Sequence, residues 1–201
     1  SIGGNLNSDA GAGVYVAENA AFTALGGEIG GNLVSASAKN NGGGIWTAGN
    51  TTVGGSTKLS GNSALAGGGI YVSGGTLTLK DDAQIKNNSS INGYNSGIFV
   101  GTNGNLCVSG SVQVTENSYN SIEGNVYLEA NGSSVNSISV VGALTDSAKI
   151  GVSLPKAVLD SINDDHFVTV ALSDTDGRIK NDSFHIDDRT IYNMIVDDSG
   201  R

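Results

Sequence analysis

Cysteine, proline, aromatic residues and positive charge are all scarce in this 201-residue chain. A single cysteine, Cys107, leaves no disulfide framework and no multi-cysteine metal site. Ten Lys and Arg against nineteen Asp and Glu give a net charge of −9. Binding a phosphate backbone needs clustered cations, so nucleic acid and anionic membrane surfaces are poor partners. No apolar run approaches the roughly 20 residues that a membrane span requires, so direct membrane insertion is not expected. Charged residues make up only 14% of the chain, which leaves Ser, Thr, Asn and Gly to supply a neutral, hydrogen-bonding surface.

One proline and 5% aromatic residues, beside 31 glycines and 22 asparagines, would by composition alone suggest disorder. A strict internal period argues the opposite. The stretch Gly67 to Asn88 contains three short strand patterns, Ile70-Tyr71-Val72, Leu77-Thr78-Leu79 and Gln84-Ile85-Lys86, with Gly, Ser, Asp and Asn at the corners. Alternation places Ile70, Val72, Leu77, Leu79 and Ile85 on one face, and Tyr71, Thr78, Gln84 and Lys86 on the other. Such a turn can bury its five apolar side chains only against similar turns above and below it.

Those turns are present. The first-strand element recurs as Gly13-Val14-Tyr15-Val16, Gly44-Ile45-Trp46-Thr47, Gly69-Ile70-Tyr71-Val72, Gly97-Ile98-Phe99-Val100 and Asn125-Val126-Tyr127-Leu128. The third-strand element recurs as Ile2-Gly3-Gly4-Asn5, Ile29-Gly30-Gly31-Asn32, Leu59-Ser60-Gly61-Asn62, Ile85-Lys86-Asn87-Asn88 and Val114-Thr115-Glu116-Asn117. Two motifs that keep phase over this length predict an all-β, parallel β-helix of about five coils, in which Gly and Asn occupy corners of positive φ. The coils are expected over residues 1–154, with the Asn motif absent from the turn that starts at Gly124. Beyond Pro155 the Gly-rich motifs stop, and ten of the nineteen acidic residues and both histidines appear. Residues 155–201 are read as a C-terminal cap, with a helical turn over Lys156 to Ile162 and short strands at Phe167 to Leu172, Phe184 to Ile186 and Ile191 to Val196. Ser1 to Asn5 reads as the third strand of a turn whose earlier strands lie upstream.

Turns of the form Gly-Gly-Gly-Ile-Tyr-Val followed by Ile/Leu-x-x-Asn resemble the paired repeats of chlamydial polymorphic outer-membrane proteins. They are closer still to the Gly-Gly-x-Ile repeat surface proteins of gut and other anaerobic bacteria. The chain has Ile, Leu or Val where the chlamydial repeats have Phe, and it holds no barrel segment. Over residues 1–154 the resemblance implies a right-handed parallel β-helix in a secreted or wall-attached bacterial protein with adhesin-like roles. It transfers no catalytic residue.

Two sets of residues are singled out by position. Asn5, Asn32, Asn62, Asn88 and Asn117 would stack at one corner as a structural ladder, each amide donating to one neighbour and accepting from the other. Removing a central one is expected to cost about 1–3 kcal/mol. Tyr15, Trp46, Tyr71, Phe99 and Tyr127 would stand as an outward row at strand spacing, able to dock sugar rings or the apolar patch of a partner protein, or else to stack on one another.

Other motifs carry less. Thr76-Leu77-Thr78 resembles the threonine arrays of ice-binding solenoids, but Thr23, Thr52 and Cys107 are not expected to build a regular second rank. Cys107 reads as a passive strand residue. The carboxylates Asp81, Asp82, Glu18, Glu28, Glu116, Glu123 and Glu129 do not recur at one rung, as a hydrolytic pair would require. Asp174-Thr175-Asp176-Gly177 opens like a calcium loop, yet Arg178 and His185 occupy positions that need oxygen ligands. His166 and His185 have no partner at motif spacing. No cofactor or metal is expected.

The expectation is therefore a non-enzymatic module at the cell surface or outside the cell, a stalk or adhesive face within a larger protein. Its partner would be a host or bacterial surface protein or a glycan. The rivals are a carbohydrate-binding module that uses the aromatic row and a polysaccharide-degrading β-helix enzyme.

Overall fold

The computed structural model describes residues 1–7, 9–35, 41–91, 95–132, 134–160, 171–173 and 182–187. Within them the repeat is a parallel β-solenoid of about five turns. The first strands Val14–Val16, Ile45–Thr47, Ile70–Val72, Ile98–Val100 and Val126–Leu128 pair in parallel, residue for residue along the motif. The second strands Ala21–Ala24, Asn50–Val53, Gly75–Leu79, Gly104–Gly110 and Ile138–Leu144 form another parallel column. The third column runs Ile2–Gly3, Glu28–Gly30, Lys58–Ser60, Gln84–Lys86 and Gln113–Val114.

The alternation read from the sequence sets the core. Ile45, Ile70, Ile98, Leu77, Leu79, Leu59, Ile85, Val114 and Val126 are each 0% exposed and belong to one continuous cluster. Each such side chain contributes about 1.5–3 kcal/mol by leaving water, and it does so only because the turns above and below close over it.

A fourth column, legible in no motif, consists of two-residue strands: Leu6–Asn7, Leu33–Val34, Ser63–Ala64 and Ser89–Ser90. Two residues are too few for periodicity to register. The corner before it also differs from expectation, because the ladder asparagines do not themselves take positive φ. The residue before each does: Gly4, Gly31, Gly61, Asn87 and Glu116 have φ between 55° and 70°. The glycine that opens each of the first four first strands answers to crowding instead. A Cβ on Gly69 would lie 2.6 Å from the Gly97 carbonyl oxygen and 3.1 Å from the Asn88 amide nitrogen.

The solenoid changes its path at the fifth turn. Lys149–Ser153 runs straight where earlier turns break at a corner. Its start pairs with Gln113–Val114 of the third column, and its end pairs with Val126–Tyr127 of the first. The described strands of the capping segment then add to the existing sheets. Ala171–Ser173 pairs in parallel with Ile138–Val140, and Phe184–Ile186 with Ile150–Val152. Phe184 is 4% exposed and Val158, on the helical turn Lys156–Leu159, is fully buried, so both seal the last rung. The expected strand Ile191 to Val196, the calcium-like loop and His166 lie outside the described residues. Among the described residues, no helix is long and apolar enough to cross a membrane.

Candidate functional site

The parallel register brings the five first-strand aromatics into one row, with Tyr15 paired to Trp46, Trp46 to Tyr71, Tyr71 to Phe99 and Phe99 to Tyr127. Ser153 continues the row beyond Tyr127. The rings stack in two groups. Tyr15 and Trp46 lie 4.5 Å apart and 3° from parallel. Tyr71 and Phe99 are 4.7 Å and 5° apart, and Phe99 and Tyr127 are 5.3 Å and 21° apart. Trp46 and Tyr71 meet in register without stacking. Phe99, expected to face outward, is only 8% exposed because it is sandwiched between two rings, whereas Tyr15 is 59% exposed. Burial, and secondarily the nearby Glu129 carboxylate, hold the Tyr71 hydroxyl above its ordinary pKa.

The second column presents a polar rank beside this row. Thr23, Thr52, Thr78, Cys107 and Ser139 are successive register partners, so they do build the regular rank that the sequence reading denied them. The companion rank is Ala21, Asn50, Thr76 and Asn105, with a single threonine. Half-burial raises the pKa of the Cys107 thiol, which fits a passive residue.

The asparagine ladder is present and follows one rule. In each asparagine the backbone N–H and the side-chain Nδ2 both donate to the Oδ1 of the next. Asn32 bonds to Asn62 at 3.1 and 2.9 Å, Asn62 to Asn88 at 3.1 and 2.9 Å, and Asn88 to Asn117 at 3.0 and 2.9 Å. The other Nδ2 hydrogen reaches back to the motif's aliphatic carbonyl one rung earlier: Ile29 for Asn62, Leu59 for Asn88 and Ile85 for Asn117. That double tie is the physical content of the aliphatic-x-x-Asn spacing.

The ladder also runs further than the motif. Asn117 donates to Asn125, which carries the amide into the turn that was expected to lack it. Asn125 sits at a first-strand position, so no spacing rule pointed to this role. Asn125 in turn donates its N–H to Asp187 Oδ2 and its Nδ2 to Asp187 Oδ1, both at 2.8 Å. The bonds from one asparagine to the next all run in the same direction, and the column ends on a carboxylate.

Around that carboxylate the structure gathers the residues that sequence reasoning left without partners. The Asp187 side chain is 0% exposed, accepts a further bond from Ser153 Oγ at 3.1 Å, and lies 3.2 Å from His185 Nε2. One ligand atom from each of Glu123, His185 and Asp187 falls within 4.8 Å of the others. His185 is pushed above its ordinary pKa, chiefly by its hydrogen bond to Asp187, against an opposing effect of burial.

Fold and ladder together define the class of the molecule: a parallel β-solenoid braced by a column of asparagine amides. No protein-family model, curated protein or solved structure matches the chain.

Proposed function

We propose that this chain is a non-enzymatic structural and interaction module, a segment of a bacterial cell-surface or secreted protein that serves as a stalk or adhesive face. The observation that carries the reading is the in-register aromatic row, flanked by a rank of small polar side chains on the adjacent sheet. Such a surface repeats at the strand spacing of about 4.8 Å and suits an extended, weakly charged partner, either a glycan or a surface protein. Three of the described carboxylates support a non-catalytic reading through their structural work. Asp81 accepts from the Gly55 N–H, Glu28 from the Ser60 hydroxyl and Glu129 from the Thr102 N–H.

The test is binding of the chain to a panel of glycans and extracellular proteins, beside a folded Trp46→Ala/Tyr71→Ala variant. Binding that the variant loses supports the aromatic row as the functional face. Binding that survives in the variant, or none by either protein, removes the row from the account.

One observation favours the glycan among these partners. Trp46 and Tyr71 are the register neighbours that do not stack, so among the described residues each keeps a ring face without an aromatic partner, and sugar rings dock on such faces. Sugar-dependent quenching of Trp46, the only tryptophan, would support this reading, and fluorescence indifferent to every sugar would oppose it.

A further inference from the structure

The geometry points to a divalent transition-metal site, best matched by zinc, at the end of the asparagine ladder, with His185 and Asp187 as paired ligands and Glu123 as the third. Exposed carboxylates gather on many surfaces without binding anything. This group differs in its chemistry and its support. The side chain of Asp187 is shielded from solvent, and its orientation is set by three donors, the N–H and Nδ2 of Asn125 and the hydroxyl of Ser153. A carboxylate offers about four lone-pair sites. Three are taken by those donors, and the fourth faces His185 Nε2.

The gap between Oδ1 and Nε2 holds one positive centre. In the free protein that centre is the imidazole proton. A metal can replace it, since two tetrahedral ligands at about 2.0–2.1 Å from zinc lie roughly 3.3–3.4 Å apart, against 3.2 Å here. His185 lies in the strand Phe184–Ile186 and Asp187 directly follows that strand, and their side chains meet at 3.2 Å. Gly151, the register partner of His185, leaves room beneath them, because a Cβ there would collide with the Asp187 carboxylate. Glu123 approaches from the hairpin Ser118–Tyr119/Ile122–Glu123 and is exposed, free to swing onto an ion. One imidazole with two carboxylates suits zinc, whereas calcium needs six or more oxygens and magnesium an octahedral oxygen shell. The hydrogen bonds that Asn125 and Ser153 make to Asp187 are the outer-shell support that metal carboxylates require. A bound ion would tie the hairpin before the fifth first strand to the strand that covers the last rung.

Calorimetric titration of the 201-residue chain with zinc chloride tests this site, with His185→Ala and Glu123→Gln beside the wild type and folding checked by circular dichroism. His185→Ala leaves the Asp187 bonds to Asn125 in place, and Glu123→Gln alters an exposed group, so both are expected to fold. The expected result is one zinc per chain, bound at least about tenfold more weakly by His185→Ala and measurably more weakly by Glu123→Gln, with no comparable binding of calcium or magnesium. No zinc uptake overturns the proposal. So does equal affinity in either variant, or displacement of zinc by modest calcium.

Discussion

Replacing Asn62 by alanine removes the centre of the ladder, and the structure sets the size of the effect. Asn62 is fully buried. Its Oδ1 accepts from both the N–H and the Nδ2 of Asn32, and its Nδ2 donates to Ile29 O and Asn88 Oδ1, all four bonds at 2.9–3.1 Å. After truncation, Asn32 Nδ2 keeps a bond to Ile2 O, and Asn88 Oδ1 keeps the one from the Asn62 backbone. The Asn32 N–H loses its bond while buried, and the Ile29 carbonyl loses an accepted one. A buried orphan costs about 1–3 kcal/mol and each weaker loss about 0.5–1.5 kcal/mol, so a total of about 2–4 kcal/mol is expected. Urea unfolding with linear extrapolation measures it, with an unchanged slope as the sign that only stability has moved. Asn105→Ala is the control: Asn105 is exposed, its amide donates only to Gly75 O, and its loss should cost no more than about 0.5 kcal/mol. An Asn62→Ala protein as stable as that control would refute the ladder as a source of stability.

Three further outcomes follow from the same contacts. Asp187→Asn should destabilise by about 1–3 kcal/mol in urea unfolding despite equal shape, because Asn125 donates separately to both carboxylate oxygens and an amide can accept on only one; an unchanged midpoint would deny the carboxylate this role. Glu116→Gly should stabilise by about 0.5–1 kcal/mol in the same assay, since Glu116 holds φ at 61° where the equivalent positions 4, 31 and 61 carry glycine, while the partly exposed Lys86–Glu116 pair it removes is worth less; a loss of stability would show that the strain argument fails. Cys107 should react with a disulfide reagent more slowly than a free cysteine and with a pH midpoint above the ordinary thiol range. Because its folded pKa is raised, the associated stability is present below that range and is lost as pH rises through the folded value; a reaction as fast as that of free cysteine would contradict the burial.

The parts of the fold that the sequence made legible are those where one residue type answers to one repeated constraint. Ile70, Leu77 and Ile85 alternate with polar neighbours because each strand has one buried face, and all three are fully buried. Asn62 and Asn88 recur because the ladder needs an amide that both donates and accepts. The fourth column stayed hidden because Ser63–Ala64 and Ser89–Ser90 are short and not strongly apolar. The left-handed corner was misplaced by one residue because asparagine tolerates positive φ, yet the ladder positions use it for its amide and leave the twist to Gly61 or Asn87.

The ladder's end was illegible for a different reason. Asn125 and Asp187 are 62 residues apart, and their contact depends on Lys149–Ser153 running straight through a corner, which no local spacing encodes. The aromatic row was visible in Tyr15, Trp46, Tyr71, Phe99 and Tyr127, but its division into two stacks depends on ring orientations that register alone does not determine.

Disulfide trapping with the native Cys107 tests the stacking register of the turns most directly. Thr78 is its register partner one turn away, at a strand spacing of about 4.8 Å, which lies inside the Cα range of disulfides, whereas Thr52 is two turns away at roughly twice that distance. The account predicts that Thr78→Cys forms an intramolecular disulfide with Cys107 under mild oxidation and that Thr52→Cys does not. A cross-link to position 52 in preference to position 78, or to neither, would contradict the parallel register on which the ladder, the aromatic row and the proposed metal site all depend.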